Sequence, residues 1–371
     1  MGFPGAVKIG GFDHVNAVTL GGGFPVVIQT MWKDRLSFEN IRGEAGTALI
    51  RRIENLGRMG CGIIRFAVPD IKTAEVVGEL ASVLSMPLCA DIHFDYKTAL
   101  RCLDFPVAKL RINPGNIGNR NRVRAVAEKA AARGVPVRIG VNAGSLPREL
   151  RRAVEGGFDR AEALVKAAMD ELSIFDELGF TGVVVSMKAS GIADTIKANR
   201  LFARRREVPL HIGLTEAGPL ISGTVRNSAA LLPLLTEGAG DTLRVSLSDT
   251  PENEIIAGRE ILSAARDLGA KRGKPGAVIV SCPRCGRHNF DTLGFARRWK
   301  ERFYTLDRDI TVAVMGCAVN GPGEARHADL GITGAGNKVL IFAHGRIVRI
   351  VDAAEADKAF EEELIRVTET L

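Results

Sequence analysis

Short apolar runs, each followed by a longer stretch of helical character, recur along the chain from about residue 26 to residue 248. Their length and their content of Val, Ile and Leu make eight of them strand candidates. The runs are VVIQTM (26–31), IIRFAV (63–68), LCADIHF (88–94), KLRINPG (109–115), VRIGVNAGS (137–145), GVVVSMKAS (182–190), LHIGLTEAG (210–218) and TLRVSLS (242–248). Stretches such as AVAEKAAARG and AEALVKAAMDELSIFDEL lie between them and are helix candidates. Eight such units predict an α/β fold, a (β/α)8 TIM barrel, ahead of a doubly wound sheet.

The pattern changes after ENEIIAGREILSAARDLGA, which is predicted to be the last barrel helix. The segment KRGKPG at 271–276 follows it, and its Gly, Pro and basic residues are typical of a linker. Beyond it, AVIVS, TVAVMG, VLIFA and RIVRIV are strand candidates, and helices are predicted near 291–303 and 354–370. We therefore predict a barrel domain over residues 1–270 and a small α+β domain over residues 271–371.

Composition and charge narrow the class of protein. The chain has 371 residues, of which 46% are hydrophobic, but no run of about eighteen apolar residues. The N-terminus lacks a basic segment followed by an apolar run, so we predict a cytoplasmic protein without membrane contact. Six cysteines are too few for a disulfide framework, which favours a reducing compartment. The net charge of +7 is not in blocks and aromatics are only 5%, which favours anionic small molecules over nucleic acid.

Polar and apolar side chains alternate within the predicted strands. In LRINPG, Leu110 and Ile112 share one face, whereas Arg111 and Asn113 share the other. Because the apolar face must pack on the helices of a barrel, the polar face is expected to look into the lumen. Five strands place a cation on that face: Arg65, Arg111, Arg138, Lys188 and Arg244.

Five lumen cations need an explanation, because ordinary barrels fill the lumen with branched apolar side chains. We interpret them as an anion site near the C-terminal mouth, suited to a diphosphate. A structural network in which Asp91, Glu216 and other acids pair with the cations is the alternative. Lys188 could instead form a Schiff base, Glu216 could act as an acid or base, and His93 either contacts ligand or is an ordinary lumen histidine.

Three cysteines are clustered in the predicted second domain. Cys282 and Cys285 form a Cys-x-x-Cys pair, and Cys317 follows in MGCAVNGPGE. Structural zinc is one interpretation, since His288 or His327 could complete a four-ligand site. An iron-sulfur cluster is the other, because three thiolates leave one iron of a cubane chemically distinct.

Several long motifs resemble those of the 4-hydroxy-3-methylbut-2-enyl diphosphate synthase family of the non-mevalonate isoprenoid pathway. The motifs are SCPRCGR, GCAVNGPGEARHADLGITG, ADIHFDY, LRINPGNIGN, RIGVNAGSL, LTEAG and GDTLRVSLS. The resemblance extends from about residue 7 to residue 350. One departure is QTMWKDRL after the first predicted strand, where the family usually has Ser-Met-Thr with threonines downstream.

The resemblance implies a cofactor and a reaction. The cofactor is a [4Fe-4S] cluster bound by the three clustered cysteines, with Glu324 of NGPGE as the fourth ligand. The reaction is the reductive ring opening and dehydration of 2-C-methyl-D-erythritol 2,4-cyclodiphosphate. Flavodoxin or ferredoxin would supply the electrons, and the enzyme would be a homodimer whose active site is shared between subunits.

The resemblance also implies roles for single residues. Asp91 and His93 would lie near the substrate carbons, Glu216 would donate a proton to the departing hydroxyl, and Asn320 would lie beside the cluster. The residues that would bind the diphosphate are Arg65, Arg111, Arg138, Asn142, Lys188, Arg244 and Ser246.

Two functions outside this family are also open from the residues. The first is a lysine-dependent aldolase built around Lys188, with structural zinc at the cysteines. The second is a basic RNA-binding module with a zinc knuckle, for which the sequence shows no aromatic stacking positions.

Overall fold

The computed structural model of the chain describes residues 4–270, 272, 276–306, 308–317, 323 and 325–370, apart from the side chains of residues 114 and 115. The chain divides into two compact units, Met1–Lys274 and Pro275–Leu371. No helix within these described ranges is long and apolar enough to span a membrane.

The first unit is a barrel of eight parallel strands. A hairpin of β1 (Val7–Ile9) and β2 (Val18–Leu20) precedes it. The barrel strands are β3 (Val27–Met31), β4 (Cys61–Ala67), β5 (Leu88–Ile92), β6 (Lys109–Ile112), β7 (Val137–Asn142), β8 (Val183–Lys188), β9 (His211–Ile212) and β10 (Thr242–Leu243). Their order is β8-β7-β6-β5-β4-β3-β10-β9, and a bridge between Val185 and Leu210 joins the two ends. The predicted TIM barrel is confirmed, although β9 and β10 are much shorter than their apolar runs suggested.

Helices surround the barrel and cover the apolar faces of its strands. They are α1 (Gly43–Arg58), α2 (Ile71–Ala81), α3 (Tyr96–Cys102), α4 (Pro114–Ile117), α5 (Arg120–Arg133), α6 (Arg148–Glu155), α7 (Arg160–Glu177), α8 (Ile192–Arg205), α9 (Leu220–Thr236) and α10 (Pro251–Asp267). Asp70 and Thr250 begin α2 and α10 as side-chain N-caps that accept hydrogen bonds from Thr73 N and Asn253 N. Leu110 and Ile112 are fully buried, as the strand alternation predicts.

The hairpin of β1 and β2, which the strand pattern did not predict, packs on the N-terminal part of the barrel. Its residues Val7, Ile9 and Leu20 share an apolar cluster with Ile63 and Val184 of the barrel strands. This packing fills the N-terminal end of the lumen. The polar lumen residues therefore lie toward the C-terminal mouth, where TIM barrels place their active sites.

The second unit is a five-stranded sheet with two helices. The strands are β11 (Ala277–Ser281), β12 (Ile310–Met315), β13 (Leu330–Ala335), β14 (Lys338–Ala343) and β15 (Arg346–Asp352), in that order across the sheet. The first three are parallel and the last two run antiparallel to their neighbours. Helices α11 (Thr292–Tyr304) and α12 (Ala356–Thr370) bury Phe295, Phe303 and Phe360 against the sheet. The α+β class is as predicted, but β13 was missed because LGITGA contains two glycines.

Candidate functional site

The cations predicted from strand alternation lie at the barrel strands, and most of them are removed from solvent. Arg65, Arg111, Arg138 and Lys188 are 7%, 3%, 1% and 5% exposed, and the side chain of Arg244 is 14% exposed. Charged groups are rarely buried unless they are paired or bind a ligand. The hydrogen-bond partners of each cation therefore decide what the cluster does.

Asp91 on β5 neutralises part of the cluster. Its Oδ1 accepts a hydrogen bond from Arg111 Nη1 at 2.8 Å, and its Oδ2 lies 3.5 Å from Arg65 Nε. Burial acts to raise the pKa of Asp91, but the charges of Arg111 and Arg65 outweigh it and hold the pKa well below its usual range. His93 Nε2 contacts Arg111 Nη1 and lies 3.5 Å from Asp91 Oδ1, so the three predicted residues form one network.

Glu254, in the first turn of α10, neutralises another part and was not predicted from the sequence. Its carboxylate accepts hydrogen bonds from Arg244 Nε at 3.1 Å, Arg244 Nη2 at 2.8 Å and Leu247 N at 3.1 Å. It also accepts from Thr30 Oγ1 at 2.8 Å and from Lys33 Nζ at 2.5 Å. Burial acts to raise the pKa of Glu254, yet the charge and hydrogen bonds of Arg244 and Lys33 lower it overall. Part of the predicted network of ion pairs is therefore present, but Glu254 rather than Glu216 is the acid that pairs with Arg244.

The remaining cations have no carboxylate partner in the described part of the chain. Arg138 Nη1 donates to Ser186 Oγ at 2.6 Å, but Arg138 Nε and Nη2 are buried without a hydrogen-bond partner there, as is Arg111 Nε. Burial lowers the pKa of Lys188 well below its usual value, and Arg138 and Arg65 lower it further. Unmatched buried donors are costly, so these nitrogens indicate a place for an anion.

Two glycines make room for the cations. A Cβ on Gly140 of β7 would lie 2.4 Å from Arg111 Nε, and one on Gly213 would lie 2.7 Å from Lys188 Nζ. Both distances are far below van der Waals contact, so any side chain at either position would displace a cation. The backbone is therefore shaped around the charged groups.

A second polar layer is buried in the lumen. Lys109 on β6 is fully buried and donates to Gln29 Oε1 at 3.3 Å. His211 on β9 is also fully buried, with its Nδ1 3.4 Å from Thr242 Oγ1. Burial lowers the pKa of Lys109 to about 7 and that of His211 well below its usual value. Lys109 lies two positions before Arg111 on β6, so the two side chains share the polar face of the strand. This spacing could have identified Lys109 from the sequence.

Glu216 lies outside these networks, in the loop after β9. It is exposed, makes no ion pair with any residue that the structure describes, and has φ of 53°. A left-handed conformation in a non-glycine residue is uncommon and is often found at functional sites. Asn142 ends β7 and Ser246 follows β10, and both are half-buried near the ends of cation-bearing strands.

In the second unit, strand pairing brings two of the cysteines to one edge of the sheet. Cys282 follows β11 and Cys317 follows β12, which is its parallel neighbour, and Cys282 N donates to Val314 O at 3.0 Å. A Cβ on Gly316 would lie 3.5 Å from Cys282 Sγ, so the thiol packs against the residue before Cys317. Cys317 is buried, and Cys282 is half-buried.

The third cysteine is in the turn after β11. Cys285 is exposed, its carbonyl accepts from His288 N at 3.0 Å, and Arg284 before it has φ of 71°. No group of three or more His, Cys, Asp or Glu side chains within the described ranges is gathered closely enough to hold a metal. The predicted ligand Glu324 and the predicted cluster neighbour Asn320 lie outside the described residues.

The chain is thus a two-unit protein with a buried cationic site in a TIM barrel and a cysteine set at one edge of a second sheet. Two family models match it: the GcpE TIM-barrel domain over residues 13–259 and the GcpE protein C-terminal domain over residues 278–366. The chain therefore belongs to the GcpE family.

Curated relatives are similar over almost their whole length. A 4-hydroxy-3-methylbut-2-en-1-yl diphosphate synthase (flavodoxin) of Treponema pallidum is 50% identical, over 97% of this chain and 91% of that protein. The enzymes of the same name from Treponema denticola and Geobacter sulfurreducens are 46% and 44% identical, over 97% and 95% of this chain and 98% and 96% of those proteins. Solved structures include a Yersinia pestis dihydropteroate synthase, 13% identical over 71% of this chain and 98% of that chain with a TM-score of 0.46, a likeness too weak to carry an argument.

Proposed function

We propose that this chain is a 4-hydroxy-3-methylbut-2-en-1-yl diphosphate synthase of the MEP pathway of isoprenoid biosynthesis. It would convert 2-C-methyl-D-erythritol 2,4-cyclodiphosphate to (E)-4-hydroxy-3-methylbut-2-enyl diphosphate. Two electrons and one proton would enter, and two C–O bonds would break, one between a ring carbon and its phosphate oxygen and one to the neighbouring hydroxyl. A carbon–carbon double bond would form between these two carbons, and the hydroxyl would leave as water. The observation that carries the proposal is the set of buried guanidinium nitrogens that have no hydrogen-bond partner among the described residues, on a chain that is 50% identical to an enzyme of this name.

The cationic site would hold the two phosphates of the substrate. Within the described part of the chain, two nitrogens of Arg138 and one of Arg111 have no hydrogen-bond acceptor, and a phosphate oxygen is the acceptor that suits such planar donors. A bound anion would raise the lowered pKa of Lys188, because a nearby negative charge favours the ammonium form. Asn142 and Ser246 would add neutral donors at the ends of their strands.

Three residues would act around the substrate carbons. Asp91 orients Arg111 and contacts His93, so it would fix the geometry of the site and remain ionised. Glu216 is the candidate proton donor, because an exposed carboxyl in a left-handed loop after β9 is free of ion pairs with described residues. The proton that completes the departing water would come from its carboxyl oxygen.

We further propose that Cys282, Cys285 and Cys317 hold a [4Fe-4S] cluster, with Glu324 as the fourth ligand. The donor set fits this group, since thiolates are the usual ligands of cluster iron and two of the three cysteines leave neighbouring parallel strands. Bound there, the group would supply single electrons at low potential. Asn320 would lie beside it, and the exchangeable carboxylate of Glu324 would leave one iron accessible.

Iron and acid-labile sulfide analysis of anaerobically purified protein tests the cofactor. We expect about four irons and four sulfides per chain, and a broad absorption band near 400 nm. Cys282→Ser should lose most of both, whereas Cys102→Ser, a buried cysteine of α3, should keep them. One zinc per chain without sulfide would contradict the cofactor.

Flavodoxin, which the names of the curated relatives specify, is the proposed electron donor, with ferredoxin as the alternative. The net charge of +7 suits an acidic carrier. We also propose a homodimer in which each active site uses both subunits. An inactive Arg138→Met chain mixed with an inactive Cys317→Ser chain should then regain activity, and failure of the mixture to do so would contradict the shared site.

Substrate binding tests the function directly. Calorimetry with the cyclodiphosphate should show binding to the wild-type chain and a loss of about tenfold or more in Arg138→Met, since charge-assisted hydrogen bonds are worth about 1.5–3 kcal/mol. Arg200→Met is the matched control, because Arg200 is a half-buried α8 residue that pairs with Glu237 away from the anion site. Equal affinity in both variants would contradict the assignment. The aldolase and RNA-binding functions are set aside because the chain belongs to the GcpE family.

A further inference from the structure

The loop after β3 places an additional lysine beside the anion site. Gln29 and Met31 of β3 face the lumen, where Lys109 Nζ donates to Gln29 Oε1 at 3.3 Å and Arg65 Nη2 donates to Met31 Sδ at 3.0 Å. Lys33 lies two residues beyond the end of β3, and its Nζ contacts Glu254 Oε1, the oxygen that also accepts from Arg244 Nη2. It is therefore held next to Arg244, one of the five cations of the site.

The ammonium group of Lys33 uses two of its three hydrogen-bond donors within the protein. Lys33 Nζ lies 2.5 Å from Glu254 Oε1 and 3.1 Å from the carbonyl oxygen of Leu247. The third N–H has no acceptor among the residues that the structure describes, and the side chain is 29% exposed. Lys33 is therefore held in place and still has a donor to offer to a ligand.

Electrostatics place Lys33 among the cations of the site. Burial lowers its pKa, and Arg244 and Arg65 lower it further against the opposing effect of Glu254. One carboxylate, Glu254, thus faces two cations, Lys33 and Arg244, so this group of side chains keeps a positive charge. An anion bound next to Arg244 would relieve that excess.

We propose that Lys33 binds the phosphate groups of the ligand as a sixth cation of the anion site, and that Glu254 is a positioning residue that holds Lys33 and Arg244 side by side. The inference rests on the proposed function and deepens it, because it names a ligand contact from the first loop. The loop reads QTMWKDRL, where the family resemblance implied Ser-Met-Thr with threonines downstream. Lys33 brings an ammonium group into this loop.

The test is calorimetric binding of inorganic diphosphate to the full chain and to three variants of it. Lys33→Met removes the charge and keeps the length of the side chain, whereas Lys33→Arg keeps the charge. Lys166→Met is the matched control, because Lys166 is an exposed α7 lysine that also lies 3.2 Å from a carboxylate, that of Asp170. Arg138→Met reports whether the anion site itself exists.

We expect Lys33→Met to bind diphosphate about tenfold or more weakly, because it loses one charge-assisted hydrogen bond. Its affinity should also depend less on the salt concentration. Lys33→Arg should recover most of the affinity, and Lys166→Met should match the wild type. A merely structural lysine would leave the salt dependence unchanged.

The outcomes separate this inference from the proposed function. Wild-type affinity in Lys33→Met, together with lost binding in Arg138→Met, would overturn the role of Lys33 and leave the synthase proposal standing. Wild-type affinity in Arg138→Met would remove the anion site, and with it both proposals.

Discussion

Replacing the buried Lys109 with Met should stabilise the barrel and change how its stability depends on pH. Lys109 is fully buried, it donates a hydrogen bond to Gln29 Oε1 at 3.3 Å, and burial lowers its pKa from 10.5 to about 7. In the unfolded chain the same group has its ordinary pKa. The folded protein therefore holds a neutral lysine at pH values where the unfolded chain holds a charged one.

The magnitude follows from the difference in pKa. Lowering the pKa of Lys109 from 10.5 to about 7 corresponds to about 5 kcal/mol of destabilisation, present in full below pH 7. Between pH 7 and about 10 the unfolded chain binds more protons than the folded chain, so the free energy of unfolding rises with pH. Lys109→Met removes this cost but leaves Gln29 Oε1 without a donor, which costs about 1–3 kcal/mol. The net expectation at pH 7 is a stabilisation of about 2–4 kcal/mol.

Urea unfolding at pH 7 and pH 9 measures the effect. Both proteins should carry Trp299→Phe, so that the fluorescence of Trp32, the other of the two tryptophans, follows unfolding of the barrel. The wild-type chain should gain about 1.4 kcal/mol per pH unit over the variant across this interval. Parallel pH dependences of the two proteins, or a variant destabilised equally at both pH values, would refute a neutral buried lysine.

Three further predictions concern the anion site. Asp91→Asn leaves two buried arginines without their counter-charge and should lower the free energy of unfolding in urea at pH 7 by about 3–5 kcal/mol. Because the pKa of Asp91 is held low, the wild type should lose this contribution only in strong acid. Equal stability of the two proteins at pH 7 would contradict the pairing. Gly140→Ala places a Cβ 2.4 Å from Arg111 Nε and should weaken diphosphate binding about tenfold or more while the fold persists, whereas unchanged affinity would show that Arg111 is not a ligand. Lys188 has a lowered pKa that an anion should raise, so diphosphate binding should take up a proton and weaken as pH rises; calorimetry in two buffers should show more uptake than in Lys188→Met, and equal uptake would count against its role.

Eight recurring strand and helix units predicted the fold, and strand alternation predicted most of the cationic site, for a physical reason. The side-chain period of two puts Arg111 opposite Leu110 and Ile112, and only one face of a barrel strand can meet the helices. The same rule would have identified Lys109, but a single lysine at the start of a strand is also common at a solvent-exposed edge. Because β9 and β10 have only two residues each, Glu216 and Ser246 lie in the loops after them, where strand alternation no longer applies.

Other features depend on contacts that the sequence does not encode locally. Glu254 joins Thr30, which is 224 residues away, and only the closed barrel brings α10 beside β3. The hairpin of β1 and β2 was missed because its strands have three residues each, too short for a periodic pattern. Glu324 as the proposed fourth ligand rests on resemblance to the family rather than on spacing, since His288, His327 and Glu324 all lie near the cysteines in sequence.

Anaerobic turnover of 2-C-methyl-D-erythritol 2,4-cyclodiphosphate, followed by phosphorus NMR, tests the central claim most directly. The reconstituted chain with reduced flavodoxin should convert the cyclic diphosphate to the linear allylic diphosphate, and Cys317→Ser should not. Full iron and sulfide content, intact diphosphate binding and no conversion by the wild-type chain would contradict the proposed reaction.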